Sequence, residues 1–157
     1  MSDERLTKIF IDLPNHWAIG GEALWAEPLG NDLYKIENIP FYAYGLNYHD
    51  IVRTNSQSAE LKPEIKELVK ASGHKTFRVF FKEGFSRDQQ EKYLDQLNKL
   101  DASYERANDI YFSIDLKPNG DYQKVFDLLD EFERNNVLEF ETCEAKIEGS
   151  FDDLPEK

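Results

Sequence analysis

The sequence predicts an α+β chain in two parts: an N-terminal half forming a small, curved, barrel-like β-sheet, then a βαββαβ ferredoxin-like half, an antiparallel sheet with two helices on one face. Three observations predict it. Short runs with a period of two, broken by Gly, Pro, Asn and Asp, fill the first sixty residues. Two apolar stripes at helical spacing follow Ser86 and Asp121. Each stripe is flanked by alternating runs of strand length. The chain accordingly divides into residues 1–60, residues 61–150 and a short acidic tail, 151–157, expected to fray. The two halves form either separate domains or one fused domain.

Over residues 6–13, Ile9, Ile11 and Leu13 alternate with Lys8, Phe10 and Asp12, the period of a half-buried strand. Residues 22–27 make a second strand, ended by Pro28, which has no N–H for a ladder. Gly30, Asn31 and Asp32 tolerate positive φ and so supply a turn. Residues 33–37 return with Tyr34 and Ile36 on one face, closing a hairpin. Residues 41–44 and 48–54 read as further strands around Gly45-Leu46-Asn47, and about five short strands at this spacing imply strong curvature. Residues 55–63 are polar and read as a loop. In residues 64–71, Ile65, Leu68 and Val69 also fit a helical stripe. Eight residues are marginal for a helix, so the segment is read as a strand leading into the next one.

In the second half, Phe77, Val79 and Phe81 share one face of a strand over residues 74–82. Ser86 with Gln89 three residues later is a capping box, and Tyr93, Leu94, Leu97 and Leu100 form the stripe of the helix it starts. Residues 102–106 and 109–116 are the next strands, joined across Ala107-Asn108. The second alternates Ile110, Phe112, Ile114 and Leu116 with Asp109, Tyr111, Ser113 and Asp115. Pro118-Asn119-Gly120 stops it and Asp121 caps the second helix. That helix carries the stripe Tyr122, Val125, Phe126, Leu129 and Phe132 and ends at Asn135-Asn136. Leu138 and Phe140 then oppose Glu139 and Glu141 in a last strand.

Composition narrows the function classes. Forty per cent of the 157 residues are apolar, enough for a core and against disorder in the body of the chain. A single cysteine, Cys143, excludes an internal disulfide and a cysteine-rich zinc site, and suits a reducing, cytoplasmic setting. No apolar run approaches the ~20 residues of a membrane span, so no membrane partner is expected. A net charge of −12 repels phosphates, so no nucleic-acid partner is expected either. His16, His49 and His74 lack ligand spacing, and neither a metal nor a cofactor is expected. Four basic against twelve acidic residues follow Gly120, so the charge is concentrated late in the chain.

Three constellations stand out. Asp127, Asp130 and Glu131 fall off the second helical stripe, and Glu139 and Glu141 point away from the core on the adjoining strand. If gathered on one exposed plane, these five form an acidic face for a basic protein partner. An immunity-type inhibitor that docks a basic toxin or nuclease is the most concrete version, and it implies no enzyme activity. Trp25, Tyr42, Tyr44 and Tyr48 are a dense aromatic set, read either as a barrel core or as a patch for a peptide or small ligand. Ser72, His74 and Arg78 share one side of an extended segment, where anion binding or acid–base work needs an orienting third group such as Asp50 or Asp12. An enzyme built on that row is the least favoured of the three readings.

Three blocks also occur together: Gly20 to Gly30 with Trp25 inside it, Tyr34 to Val52 with Pro40, Tyr42, Tyr44 and Tyr48, and Ser72-Gly73-His74 continuing to Val79. In this combination, spanning about residues 9–138, the chain resembles the bacterial family catalogued as domain of unknown function 4265. The resemblance implies a cytoplasmic protein with no attached activity, and it carries over no catalytic residue. Position 49 departs from the family pattern, where a smaller residue, often Gly, is expected in place of His49.

Overall fold

A computed structural model describes residues 6–16, 19–55 and 63–155. They form an α+β structure with two antiparallel sheets, of five and four strands, and two helices. The chain divides into two compact units, Met1–Ser72 with Glu144–Lys157, and Gly73–Cys143.

In the first unit the strands are β1 (Thr7–Asp12), β2 (Gly21–Gly30), β3 (Leu33–Ile36), β4 (Ile51–Thr54) and β5 (Ile65–Lys70), in the order β1-β2-β3-β4-β5. Alternation turns Ile9, Ile11, Leu24, Ala26, Ile36, Val52 and Ile65 into a common core. The Phe10 N–H donates to the Pro63 carbonyl at 2.9 Å, and Phe10 bridges Glu64 in parallel, so the first strand meets the start of the last. Pro28 does not end its strand. It sits opposite Tyr34, and the register shifts between Pro28 and Gly30, a bulge of the kind that accommodates a residue without an N–H. Asn31 and Asp32 follow with φ of 55° and 63°, the left-handed pair that a tight hairpin needs.

Two strand expectations are corrected here. Residues 41–44 are not a strand, because their N–H groups are taken elsewhere. Phe41, Tyr42 and Ala43 donate to the Glu22 carboxylate at 2.7, 3.0 and 2.9 Å, and Tyr44 donates to the Phe151 carbonyl at 2.9 Å. Residues 48–54 yield only Ile51–Thr54, since His49 has φ 68° and cannot continue an extended run. That angle gives a physical reason for a glycine at position 49. Gly45, at φ 78°, is confined further: a Cβ there would lie 2.9 Å from the Ala145 Cβ. The strand read over residues 64–71 is present, but as the last member of the first sheet. Most of the loop read over residues 55–63 lies outside the described residues. Fraying of the tail is corrected as far as Asp152, which is buried and accepts the Asn15 N–H at 2.8 Å.

The second unit runs β6 (Lys75–Phe81), α1 (Arg87–Asn98), β7 (Ala102–Arg106), β8 (Tyr111–Leu116), α2 (Tyr122–Arg134) and β9 (Leu138–Thr142), with sheet order β7-β8-β6-β9. The capping box forms: the Gln89 N–H donates to Ser86 Oγ at 3.2 Å and the Ser86 N–H donates to Gln89 Oε1 at 2.8 Å. Ser86→Ala is expected to cost about 1 kcal/mol, read as a lower urea midpoint with an unchanged slope. An identical midpoint would show that the cap contributes nothing. Asp121 caps α2 by accepting the Lys124 N–H. Leu94 and Leu97 of α1 and Val125, Leu129 and Phe132 of α2 pack on Phe77, Val79, Phe81, Phe112, Ile114 and Leu116 of the sheet. Each such side chain contributes roughly 1.5–3 kcal/mol.

The alternation read in β8 holds as a pattern of chemistry and fails as a pattern of exposure. Tyr111, Ser113 and Asp115 are as buried as Phe112, Ile114 and Leu116. Ile110, placed on the apolar row from sequence, precedes the strand and is 44% exposed. Gln90, a polar residue on α1, is buried with its amide donating to the Asp109 carbonyl at 2.9 Å.

Candidate functional site

With Phe77, Val79 and Phe81 turned to the helices, Thr76 and Arg78 occupy the other face of β6, and His74 precedes them in the same row. Register sets Asp115 of β8 opposite Thr76, Ser113 opposite Arg78, and Glu141 of β9 opposite Arg78 on the other side. Two charged pairs result. His74 Nδ1 lies 2.8 and 3.0 Å from the Asp115 oxygens, and Arg78 Nε donates to Glu141 Oε2 at 3.3 Å. The Arg78 side chain is wholly buried. Phe80 stacks on Tyr111 at 4.2 Å at the end of the row.

The orienting carboxylate for His74 is therefore Asp115, not Asp50 or Asp12. Asp50 is buried and accepts the Asn47 and Ser72 N–H groups, both at 2.8 Å. The Ser72 hydroxyl donates to the Tyr48 carbonyl at 2.7 Å, and a carbonyl is no base. Ser72 belongs to the first unit, whereas His74 and Arg78 belong to the second. Of the row read as Ser72, His74 and Arg78, the structure pairs His74 with Asp115 and Arg78 with Glu141, and places the Ser72 hydroxyl on a carbonyl. Pairing of this kind satisfies charges taken out of water, which are costly when left alone.

The five acidic residues do not share a plane. Leu138 and Phe140 of β9 face the helical core, so Glu139 and Glu141 lie on the face turned from α2, and Asp127, Asp130 and Glu131 lie on the outer side of α2. Most are also engaged: Glu139 by Lys82 at 2.7 Å, Glu141 by Arg78, Asp130 by Arg134 at 3.1 Å, and Asp127 by the Gln123 amide at 2.8 Å. On α1, Asp95 hydrogen-bonds Tyr104. Burial, then the Asp95 and Glu91 charges, hold that phenol above its ordinary pKa. A shallow groove is open between α1 and α2, lined by Lys99, Leu100, Lys124, Asp127, Leu128 and Glu131 among others.

Of the aromatic set, Tyr42 and Tyr44 come together against His16, at ring distances of 5.2 and 6.3 Å. Trp25 is on the outer face of β2, and Tyr44 is buried beneath Lys146, whose ammonium lies 4.8 Å from its ring. Tyr42 meets His16 edge-on at 5.2 Å, and Tyr48 stacks on His49 at 3.9 Å. Sequence reading missed Glu22 and Asp115 as organisers, and named Asp50 only as a candidate orienting group for the Ser72, His74 and Arg78 row. Glu22 carried a signal: it stands in phase with Leu24 and Ala26, which face the core. No cluster of three metal-ligating side chains occurs among the described residues. No described helix is long and apolar enough to cross a membrane.

Comparison with known proteins bears on this geometry at the level of fold. The family described as Domain of unknown function (DUF4265) matches residues 22–140, most of the chain. The structure reported as a novel crystal structure of a hypothetical protein from Neisseria gonorrhoeae is similar, with a TM-score of 0.73 at 21% identity. The match covers 88% of this chain and 94% of that one. No curated protein matches the chain.

Proposed function

We propose, for a chain that belongs to the DUF4265 family and inherits no activity from it, a non-enzymatic role in binding another protein through the helical face of its second unit. The observation that carries this reading is the open groove lined by Asp127 and Glu131, one turn apart on α2, together with Leu128, Leu100 and Lys99. Apolar side chains ringed by charge are the composition of a recognition surface: the leucines supply area, and the charges set register and exclude wrong partners. The net charge of −12 draws a basic partner from a distance, which supports the immunity-type form in which the partner is a basic toxin or nuclease. Lys99 and Lys124 add a condition. The partner must present acids beside its bases to match the groove.

The same reading takes the second unit as ferredoxin-like, supported by its strand order β7-β8-β6-β9 and by both helices sharing one core with the sheet. It takes the first as barrel-like, supported by the contact of Phe10 with Pro63 and Glu64.

The test is affinity capture from the native host with wild type and with Asp127→Lys/Glu131→Lys. Both residues are exposed, so the double variant is expected to fold. A partner held at low salt, released at high salt and lost with the variant supports the groove. A partner held equally by the variant removes it.

A further inference from the structure

Trp25 stands in mid-strand with its side chain outward. Leu24 and Ala26 on either side of it are core residues, and Trp25 itself is 43% exposed. Its cross-strand neighbour on β1 is Lys8, whose ammonium lies 5.1 Å from the indole centroid, a cation–π distance. On the other side the Glu37 N–H donates to the Trp25 carbonyl at 2.8 Å, continuing the pairing of Ala26 with Ile36. Glu27 follows two residues along the same outer row. Lys35 sits between the two carboxylates, at 3.3 Å from Glu27 and 3.6 Å from Glu37. His49 Nε2 also lies 3.1 Å from Glu37. The indole is therefore an exposed ring already holding an ammonium, next to carboxylates that are themselves paired, in a chain of net charge −12.

We propose that the outer face of the first sheet receives a cationic side chain at Trp25, an arginine from a basic segment of a protein partner, and that Lys8 is the resident cation this arginine displaces. Charge complementarity selects the occupant. A guanidinium is planar, stacks on an indole face more readily than an ammonium, and offers a fork of donors to a carboxylate such as Glu27. Lys8 leaves at small cost, because an ammonium on an exposed ring is held weakly and is readily rehydrated. The site lies on the first unit and does not rest on the helical groove of the second.

The test is isothermal titration of the full chain at low salt with hexa-arginine and hexalysine peptides. It compares wild type with Trp25→Ala, Trp25→Phe, Lys8→Ala and Lys70→Ala. Lys70 is exposed on β5, so its removal changes the net charge as Lys8→Ala does without touching the ring. Hexa-arginine is expected to bind wild type more tightly than hexalysine. Trp25→Ala should weaken that binding roughly 2–5-fold, the span of an exposed cation–π contact, and Trp25→Phe should weaken it less. Lys8→Ala should tighten binding beyond Lys70→Ala, because the ring is vacated. Equal affinities for wild type and Trp25→Ala overturn the proposal, as do equal effects of Lys8→Ala and Lys70→Ala, or no binding of hexa-arginine.

Discussion

Phe112→Asp is expected to abolish the cooperative unfolding transition of the second unit. Phe112 is fully buried at the middle of β8, opposite Val79 on one side and Arg106 on the other. Its ring meets Phe81 at 5.6 Å and Tyr104 at 6.0 Å, both edge-on, in the core shared by the sheet and both helices. Losing the ring alone costs about 3–5 kcal/mol. The new carboxylate adds several kcal/mol more unless it is paired or protonated. The Arg106 guanidinium, 4.5 Å from the ring, is a countercharge in reach, and it sits on the edge strand β7. Pairing with it would still leave the cavity. Together these losses rival the 5–15 kcal/mol that holds an ordinary domain folded. Amide protection in β6, β8 and β9 should collapse, while Phe112→Leu, which keeps an apolar side chain in place, should retain it. Protection of the Asp variant at the wild-type level would show that the ring is not part of this core.

Glu22→Ala is expected to lower the melting temperature on the order of 10 °C. Glu22 is buried, and its carboxylate accepts three consecutive N–H groups, from Phe41, Tyr42 and Ala43. Truncation leaves those donors without their acceptor at a cost of about 1 kcal/mol or more each. Water reaching the partly buried pair, Phe41 and Tyr42, moderates the loss. Glu22→Gln keeps one acceptor oxygen but turns an amide NH2, itself a donor, toward the remaining donors, so its shift should fall between wild type and Ala. Hydrogen exchange gives the specific readout: protection of residues 41–43 should fall in Glu22→Ala ahead of protection in β1. A thermal shift without that local loss would assign the effect of Glu22 elsewhere.

The acidic composition is therefore only partly a surface property. Of the acids described, Glu22, Asp50 and Asp152 are spent on loop amides of the first unit, Asp115 on His74, and Glu141 on Arg78. Counting charge along the chain located an excess after Gly120 correctly. It could not tell that residues from Glu144 onward return to the first unit, or that Glu139 and Glu141 face away from the outer side of α2. The aromatic set was legible as residues and illegible as a place. Trp25 sits within a paired strand, whereas Tyr42 and Tyr44 lie in a loop whose path is set by a carboxylate some twenty residues earlier.

Both helices with their caps, the paired apolar rows of β1, β6 and β8, and the left-handed turn at Asn31-Asp32 were readable from the sequence alone. Each depends on backbone geometry repeating over two or 3.6 residues, or on a side chain reaching an amide three residues away. Tertiary structure alone decided that Asp115 is buried against His74, 41 residues away, and that Glu22 gathers the amides of a segment that would otherwise read as a strand. The physical reason is range. Local periodicity is written into neighbouring residues, whereas the partner of a buried charge is whichever group the folded chain brings within 3 Å of it.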